Sequence, residues 1–522
     1  MTMRQGTAGL GNQVTVLNNL TLANNSKLRL EVTSNGCERI SNLSVSPSVF
    51  TNNGTVKATG GTVFVQPTNF TNYAAGTLTG GTWRMAGGVV QFPGADIVTN
   101  AADIVIENAG SRMLNSTTGL DALRNLATTT TAGSFTVQNT SGFVSTGALT
   151  NSGTTTIDAT SFVGVGTTPT TGLSSLWHAE GNAFDVFGTS NSTLANGATF
   201  APGKVGRALS FDGVNDLVTT PLVLSYTGGA SFAAWIKTTD TTGALISGGG
   251  GAAASRGIGL FVESGALELY GSKATCGTYN FQLVGPTIND GLFHHVAATW
   301  TGTTVTGGVK LYVDGVLVGS TTALATITTD THAIHLGGHS VLAYAAYAGL
   351  IDEIGIYNRA LSVAEIQSTM SLCNYTQPGG TTIVNGTLLA NLVNVQAGVF
   401  GGTGIIPTGL SNLGGTVAPG NSPGCLTING NYDQAAAGTL QIQIDGPTVC
   451  TQFDQLIVNG TISLAGSISV QLSPTFIPAT GQKLVVLSND RTDSVGGTFT
   501  NDSERDVLIV DGDKLFQISY RG

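Results

Sequence analysis

Short runs of β-branched residues, separated by Asn-Gly, Gly-Gly and Gly-Thr corners, recur along this chain at a spacing of roughly 20 residues, the mark of a stacked repeat. Phe50-Thr-Asn-Asn-Gly-Thr-Val56, Phe70-Thr-Asn-Tyr-Ala-Ala-Gly-Thr-Leu78 and Leu149-Thr-Asn-Ser-Gly-Thr-Thr-Thr-Ile157 each read as a strand, a turn and a strand. Apolar and polar residues alternate in Thr154–Asp158 and Thr381–Asn385, as half-buried strands require. Helical periodicity is nearly absent. A parallel β-solenoid has the matching needs: each coil turns tightly and lies on the next, with Gly, or the tolerant Asn, where φ is positive. An irregular β-sandwich is the competing reading of the same runs.

The repeat stops at Ala159 and resumes at Tyr375, and the stretch between is punctuated differently. Leu311–Val318 reads as two strands about Asp314-Gly315, a two-residue hairpin turn in which both residues need positive φ. Ser362-Val-Ala-Glu365 is a capping box, predicting one short helix through about Met370. The coil at Leu149–Ile157 is expected to continue directly at Tyr375–Ile383, so that the two outer parts form one rod.

Particular blocks carry resemblances. Val417-Ala-Pro-Gly-Asn-Ser-Pro-Gly-Cys-Leu-Thr-Ile428, Gly438-Thr-Leu-Gln-Ile442 and Phe453-Asp-Gln-Leu-Ile-Val-Asn-Gly460 resemble the β-helical passenger repeat of autotransporter-type adhesins. That likeness is specific over the C-terminal part and one of repeat style over the N-terminal part. It implies a surface-exposed or secreted stalk and no chemistry. In that family the ending Phe516–Gly522 runs on into a further strand, so a fragment is expected, with any membrane anchor beyond it.

Within the interruption, Trp177-His-Ala-Glu-Gly-Asn-Ala-Phe-Asp185, Phe200–Gly213, Ser231–Lys237, Asp290–Trp300, Val309–Val318 and Gly349–Leu361 resemble, in order, the laminin-G-like, concanavalin-like jelly roll. The expected fold is therefore all-β: a right-handed parallel β-helix (solenoid) interrupted by an inserted jelly-roll β-sandwich. The solenoid parts are assigned to 1–171 and 374–522, and the insert to 172–373.

The 20 Lys+Arg residues are outnumbered by 30 Asp+Glu, giving a net charge of −10, and no basic cluster could neutralise a row of phosphates, which argues against nucleic acid. No apolar run approaches the ~20 residues of a membrane helix, and the Met1 end lacks the apolar core of a secretion signal. Cys37, Cys276, Cys373, Cys425 and Cys450 show no zinc spacing, leaving disulfides or buried thiols. Cys425 and Cys450, about one coil apart, are the favoured pair; an odd cysteine must stay free or pair between chains.

Trp177, Trp235 and Trp300 read as sandwich core and Trp83 as a ring packed inside a coil. The first and last strands of a jelly roll lie side by side, which would bring Glu180 and Asp185 toward Asp352 and Glu353. The laminin-G-like resemblance implies a structural calcium at that junction, with Asp185 and Asp352 as its expected ligands; the alternative is that Asp352 caps a turn. His332, His335 and His339 suggest zinc, but strand alternation puts His332 and His335 on opposite faces. His294 and His295 precede a core strand and read as structural. In the loop Gly337–Tyr347, His339, Tyr344 and Tyr347 offer flat faces and hydroxyls that stack on sugars, and are the expected ligand-binding residues; the alternative is that both tyrosines pack against the protein.

No catalytic constellation is assigned. Gly420-Asn-Ser-Pro-Gly424 matches the nucleophile elbow formally, but Pro423 and the β-run Leu426–Ile428 follow it where a helix is needed. Glu263 and Glu268, separated by a Ser-Gly turn, read as solvated hairpin positions rather than the paired acids of a glycosidase. The leading expectation is an extracellular or cell-surface, adhesin-like stalk presenting a lectin-like module to glycan or another surface. The alternatives are a filament or envelope component assembling with its own copies through solenoid ends and a polysaccharide-degrading enzyme, which the scarcity of paired acids disfavours.

Overall fold

The computed structural model describes residues 20–22, 27–31, 42–45 and 49–520, apart from 60, 66–68, 224–227, 249–257, 273–278, 303–307, 323–332, 340–345, 422, 491, 502–506, 511–513 and 518. Cys37, Cys276, His332 and Tyr344 lie outside the described residues. The chain divides into two units, one of residues 1–114, 125–166 and 372–522, the other of 115–124 and 167–371.

In the first unit, strands from successive repeats pair in parallel and in register. Ser134, Thr154, Thr381, Val399, Thr416, Thr439 and Ser467 form one column; Phe135, Thr155, Thr382, Phe400, Val417, Leu440 and Ile468 form the inward column beside it. The alternation of β-branched and polar residues is what allows this, because each second side chain enters the core. Leu149 pairs with Tyr375, Thr154 with Thr381 and Phe162 with Thr387, so the chain resumes its ladder across an interval of more than two hundred residues. Trp83 is fully buried, with Phe50, Phe70 and Phe92 at ring-centroid distances of 5.6–6.4 Å.

Asn108 and Asn139 turn corners at positive φ, of 69° and 57°, as expected, but a second set of corner asparagines acts differently. Asn52, Asn100, Asn151 and Asn412 are buried, and none lies in the left-handed region. Each accepts, through Oδ1, the N–H of a residue just past the corner: Gly54, Ala102, Gly153 and Gly415. Each also donates Nδ2 to a carbonyl of the next layer, and Gln377 and Gln434 do the same with Nε2. The acceptors are Thr82, Ser134, Thr381, Thr439, Val399 and Ser467, at 2.8–3.2 Å. Gly153 is required by space: a Cβ there would stand 2.2 Å from the carbonyl oxygens of Gly133 and Thr130.

Cys425 and Cys450 are joined by a disulfide with Cα atoms 4.8 Å apart. The layer-to-layer partner of Cys425 is Gln455, however, so the bridge ties a strand to a connecting loop rather than one stacked position to the next. Cys373 is a free thiol, its pKa pushed up by burial.

The second unit is two packed antiparallel sheets. The first orders its strands Thr199–Pro202, Arg207–Asp212, Ala348–Tyr357, Ala230–Lys237, Phe293–Trp300, Val309–Val313 and Val316–Thr321, with Leu173–Trp177 also on Ala348–Tyr357. The second runs Thr193–Ala195, Leu217–Thr219, Ile334–Leu336, Thr242–Gly248, Ile258–Glu263, Ala266–Ser272 and Tyr279–Thr287. Trp177, Phe211, Phe232, Trp300, Leu260 and Leu269 belong to the core between them, with the Phe281 and Trp300 rings stacked at 5.4 Å. A smaller cluster unites Leu176, Ala233, Ala297, Tyr312 and Tyr357 with Ile366 of the helix Val363–Ser368. That helix carries both halves of its capping box, and Asp314 and Gly315 have φ of 51° and 74°, as their sequence requires.

Asn151→Ala would strand a buried N–H at Gly153 and a carbonyl at Thr381 where the two outer segments meet. The expected loss is about 1–3 kcal/mol, read as a lower denaturation midpoint of the first unit; an unchanged midpoint would show that the amide is dispensable.

Candidate functional site

Four ionisable side chains gather where Leu173–Trp177 leaves its antiparallel partner Ala348–Tyr357. Asp352 is completely buried, and burial pushes its carboxyl well above the ordinary range, with the Glu353 charge adding to the effect. Its Oδ2 accepts the N–H groups of Lys204 and Val205 at 2.8 and 2.9 Å, and its Oδ1 that of Glu353 at 2.8 Å. Glu353 takes a φ of 50° at a register shift of its strand, and its carboxylate meets His178 Nδ1 at 2.8–2.9 Å. Glu180 Oε2 accepts the Arg207 N–H at 2.9 Å, while Oε1 is buried with no hydrogen-bond partner. Burial first, then the charges of Asp352 and Glu353, hold the Glu180 pKa well above normal. A carboxyl in this setting keeps its proton, since ionising it would add charge to a site where little water can reach.

Asp185 has a different task. It is fully buried, and its Oδ1 accepts the N–H groups of Leu176, Phe187 and Gly188 at 2.7–3.1 Å, its Oδ2 that of Ser190 at 3.0 Å. A carboxylate ringed by N–H donors shapes a loop, and those dipoles point their positive ends where a cation would sit. Asp352 is likewise met by N–H donors. Among the described residues no group of three or more His, Cys, Asp or Glu side chains is arranged to hold a metal ion. The spacing of Asp185 to Gly188 and Ser190 was the available signal for this loop.

The expected sugar-binding loop is corrected in part. Tyr347 is 0% exposed, its hydroxyl donates toward the Lys237 and Leu350 carbonyls, and its ring packs edge-on to Phe211 at 6.1 Å. It belongs to the core because the strand Ala348–Tyr357 begins immediately after it. His339 is half-buried in the turn after Ile334–Leu336. Trp235 also differs from expectation: it lies outside the inter-sheet core, with Lys204 Nζ 4.6 Å above its ring and His295 edge-on at 5.3 Å. His295 is structural, its pKa lowered to about 4 by burial, with Nε2 3.0 Å from Thr369 Oγ1.

Glu263 and Glu268 share a hairpin, but Glu268 is not merely solvated. Its Oε2 is a common acceptor for Tyr270 OH and for Gln282 Nε2, the latter at 2.9 Å. Partial burial and the neighbouring Glu268 charge raise the Glu263 pKa. The Phe261 ring stands 5.4 Å from that of Tyr270. These side chains come from three adjacent strands of the second sheet.

Comparison with known proteins places this unit. Residues 212–367 match the Laminin_G_3 family, described as the concanavalin A-like lectin/glucanases superfamily. A 100-residue segment is 32% identical to the sushi, von Willebrand factor type A, EGF and pentraxin domain-containing protein 1 of Rattus norvegicus, covering 17% of this chain and only 3% of that relative. Among solved structures, domain 4 of AbnA, an extracellular arabinanase from Geobacillus stearothermophilus, in complex with arabinotriose, is 22% identical, covering 38% of this chain and 97% of that one at a TM-score of 0.31. The binding domain of Paraclostridial Mosquitocidal Protein 1 is 16% identical, covering 38% of this chain and 51% of that one, also at 0.31. The family match over residues 212–367 gives the second unit a lectin/glucanase-like fold.

The raised carboxyls make stability depend on pH. Folded Glu180 and Asp352 hold protons that the unfolded chain releases, so stability falls as pH rises from about 4 toward their elevated values. Glu180→Gln keeps the acceptor for Arg207 and cannot ionise. It is expected to raise the thermal midpoint of the second unit at about pH 8 by about 2–4 °C, the shift for 1 kcal/mol in a domain of this size, and to change little near pH 4. A lower midpoint at both pH values would contradict the assignment.

Proposed function

We propose that this is an extracellular or cell-surface, adhesin-like protein in which the second unit binds glycan and the first unit is its carrier, a right-handed parallel β-helix of the autotransporter passenger type. The observation that carries the reading is the match of 212–367 to the concanavalin A-like lectin/glucanases superfamily, on a two-sheet sandwich with a polar and aromatic patch on one sheet. The carrier reading is supported by the parallel register of the first unit and by the block Val417–Ile428.

The binding is proposed to be non-catalytic. Asp185 and Asp352 are engaged by backbone N–H groups, Glu353 by His178, and Glu180 sits protonated in the interior, so none stands ready to protonate or attack a glycosidic bond in a cleft. The full chain should be retarded in affinity electrophoresis through at least one soluble polysaccharide, with no release of reducing ends on prolonged incubation. Absence of retardation across a broad polysaccharide panel would refute the binding role, and steady release of reducing ends would refute the non-catalytic one.

A further inference from the structure

The chain leaves the first unit and returns to it within one step of the parallel ladder. Gly166, the last residue before the interruption, donates its N–H to the Ser145 carbonyl of the preceding layer at 3.1 Å. Leu372, the first residue after it, forms an antiparallel bridge with Gly166. Cys373 then donates to the Val165 carbonyl and accepts the Asn391 N–H, both at 2.8 Å, so the layers on either side hold it. The ladder is therefore closed right up to the residues where the chain departs and returns.

The layer boundary at the interruption is bonded as fully as the uninterrupted one that follows. Leu149–Asn151, Thr154–Ile157 and Phe162–Val165 pair in register with Tyr375–Gln377, Thr381–Val384 and Thr387–Leu389. Those three strands pair in turn with Leu392–Val395, Val399–Gly402 and Ile405–Ile406. Asn151 Nδ2 adds bonds to the Thr381 carbonyl at 3.1 Å and the Thr382 hydroxyl at 3.0 Å. Ladder bonds cross from layer to layer, so a pull along the stack is borne by them before it reaches any segment that loops out.

The second unit is likewise closed on itself at its two ends. Thr167 Oγ1 donates to the Ser371 carbonyl at 3.1 Å and also meets that of Ser368. The Asn358 N–H donates to the Gly172 carbonyl and Arg359 Nε to that of Thr171, each at 2.8 Å. Leu173–Trp177 lies antiparallel on Ala348–Tyr357. Neighbouring antiparallel strands drawn apart from one end open a few bonds at a time, the direction in which a sheet resists least. Loaded through its ends, this unit would open easily.

From this topology we infer a mechanical function for the first unit: its ladder carries tension past the interruption, so that the second unit stays unloaded while the first is stretched. This function holds whatever the second unit binds. Tension reaches Thr167 or Ser371 only after the chain on one side of the boundary, up to Gly166 or from Leu372 onward, has been stripped from the stack.

The test is to stretch the full chain between its two ends in optical tweezers, as wild type and as Trp300→Ala, which removes a core ring of the second unit. At ~3.5 Å per residue the second unit stores about 700 Å of chain, and either side of the boundary at least about 500 Å. The expected result, in both proteins, is that the gain of about 700 Å follows a release of at least about 500 Å from the first unit. The variant decides between a bypass and a second unit that is merely the stronger of two in series. Even if the loss of Trp300 leaves that unit unfolded, the ladder still spans the gap and the order is kept. The longer gain coming before such a release, in either protein, would place the two units in series and overturn the inference.

Discussion

Buried amides at six corners are the contacts on which the first unit depends. Asn52, Asn100, Asn151, Gln377, Asn412 and Gln434 each reach from one layer to a carbonyl of the next, so the side chain that closes one corner also sets the height of the following one. Parallel strands in a stacked repeat have little else to fix their register, because β-branched residues in neighbouring layers are nearly interchangeable. An amide removed from water and left unpaired costs more than the net worth of the bond it makes, which penalises every slipped alignment. The consequence is clearest where the chain returns after the second unit. There Asn151 bonds the Thr381 carbonyl and the Thr382 hydroxyl, which also meets Tyr375 OH at 2.8 Å, so a polar cluster in the core identifies the correct partner for the resumed repeat.

The second unit applies the same logic with acidic side chains. Asp185 gathers four backbone N–H groups and Asp352 three, each fixing a loop that pure apolar packing would leave free to vary. Glu180 sits between such sites as an interior acid whose proton, rather than a counter-charge, makes its burial tolerable. These groups lie at the junction of strands in the first sheet. The second sheet contributes a row of apolar residues to the inter-sheet core, from Val218 to Leu283.

Much of the architecture was legible from local rules. Alternation, Asp314-Gly315 and the Ser362–Glu365 capping box each act within a few residues, and the structure shows the pattern they require. The corner asparagines were legible as corners but not as bridges, because their partners sit about a layer away and no local rule reports them. The same gap explains Tyr347 and Trp235. Whether an aromatic ring faces solvent, the inter-sheet core or a capping Lys204 is decided by strand pairing distant in sequence. Asp185 stood out in the sequence as an acid at the strand junction, but the four backbone N–H groups it gathers come from a loop whose course no local rule reports. The apolar row on the second sheet could not be read at all before the registers of six strands were known.

The sharpest test is to determine the structure of the full chain with an oligosaccharide bound. The account predicts a sugar chain seated on the lectin/glucanase-like second unit, residues 167–371. A sugar seated instead on the first unit, or no bound sugar at saturating concentration, would contradict it.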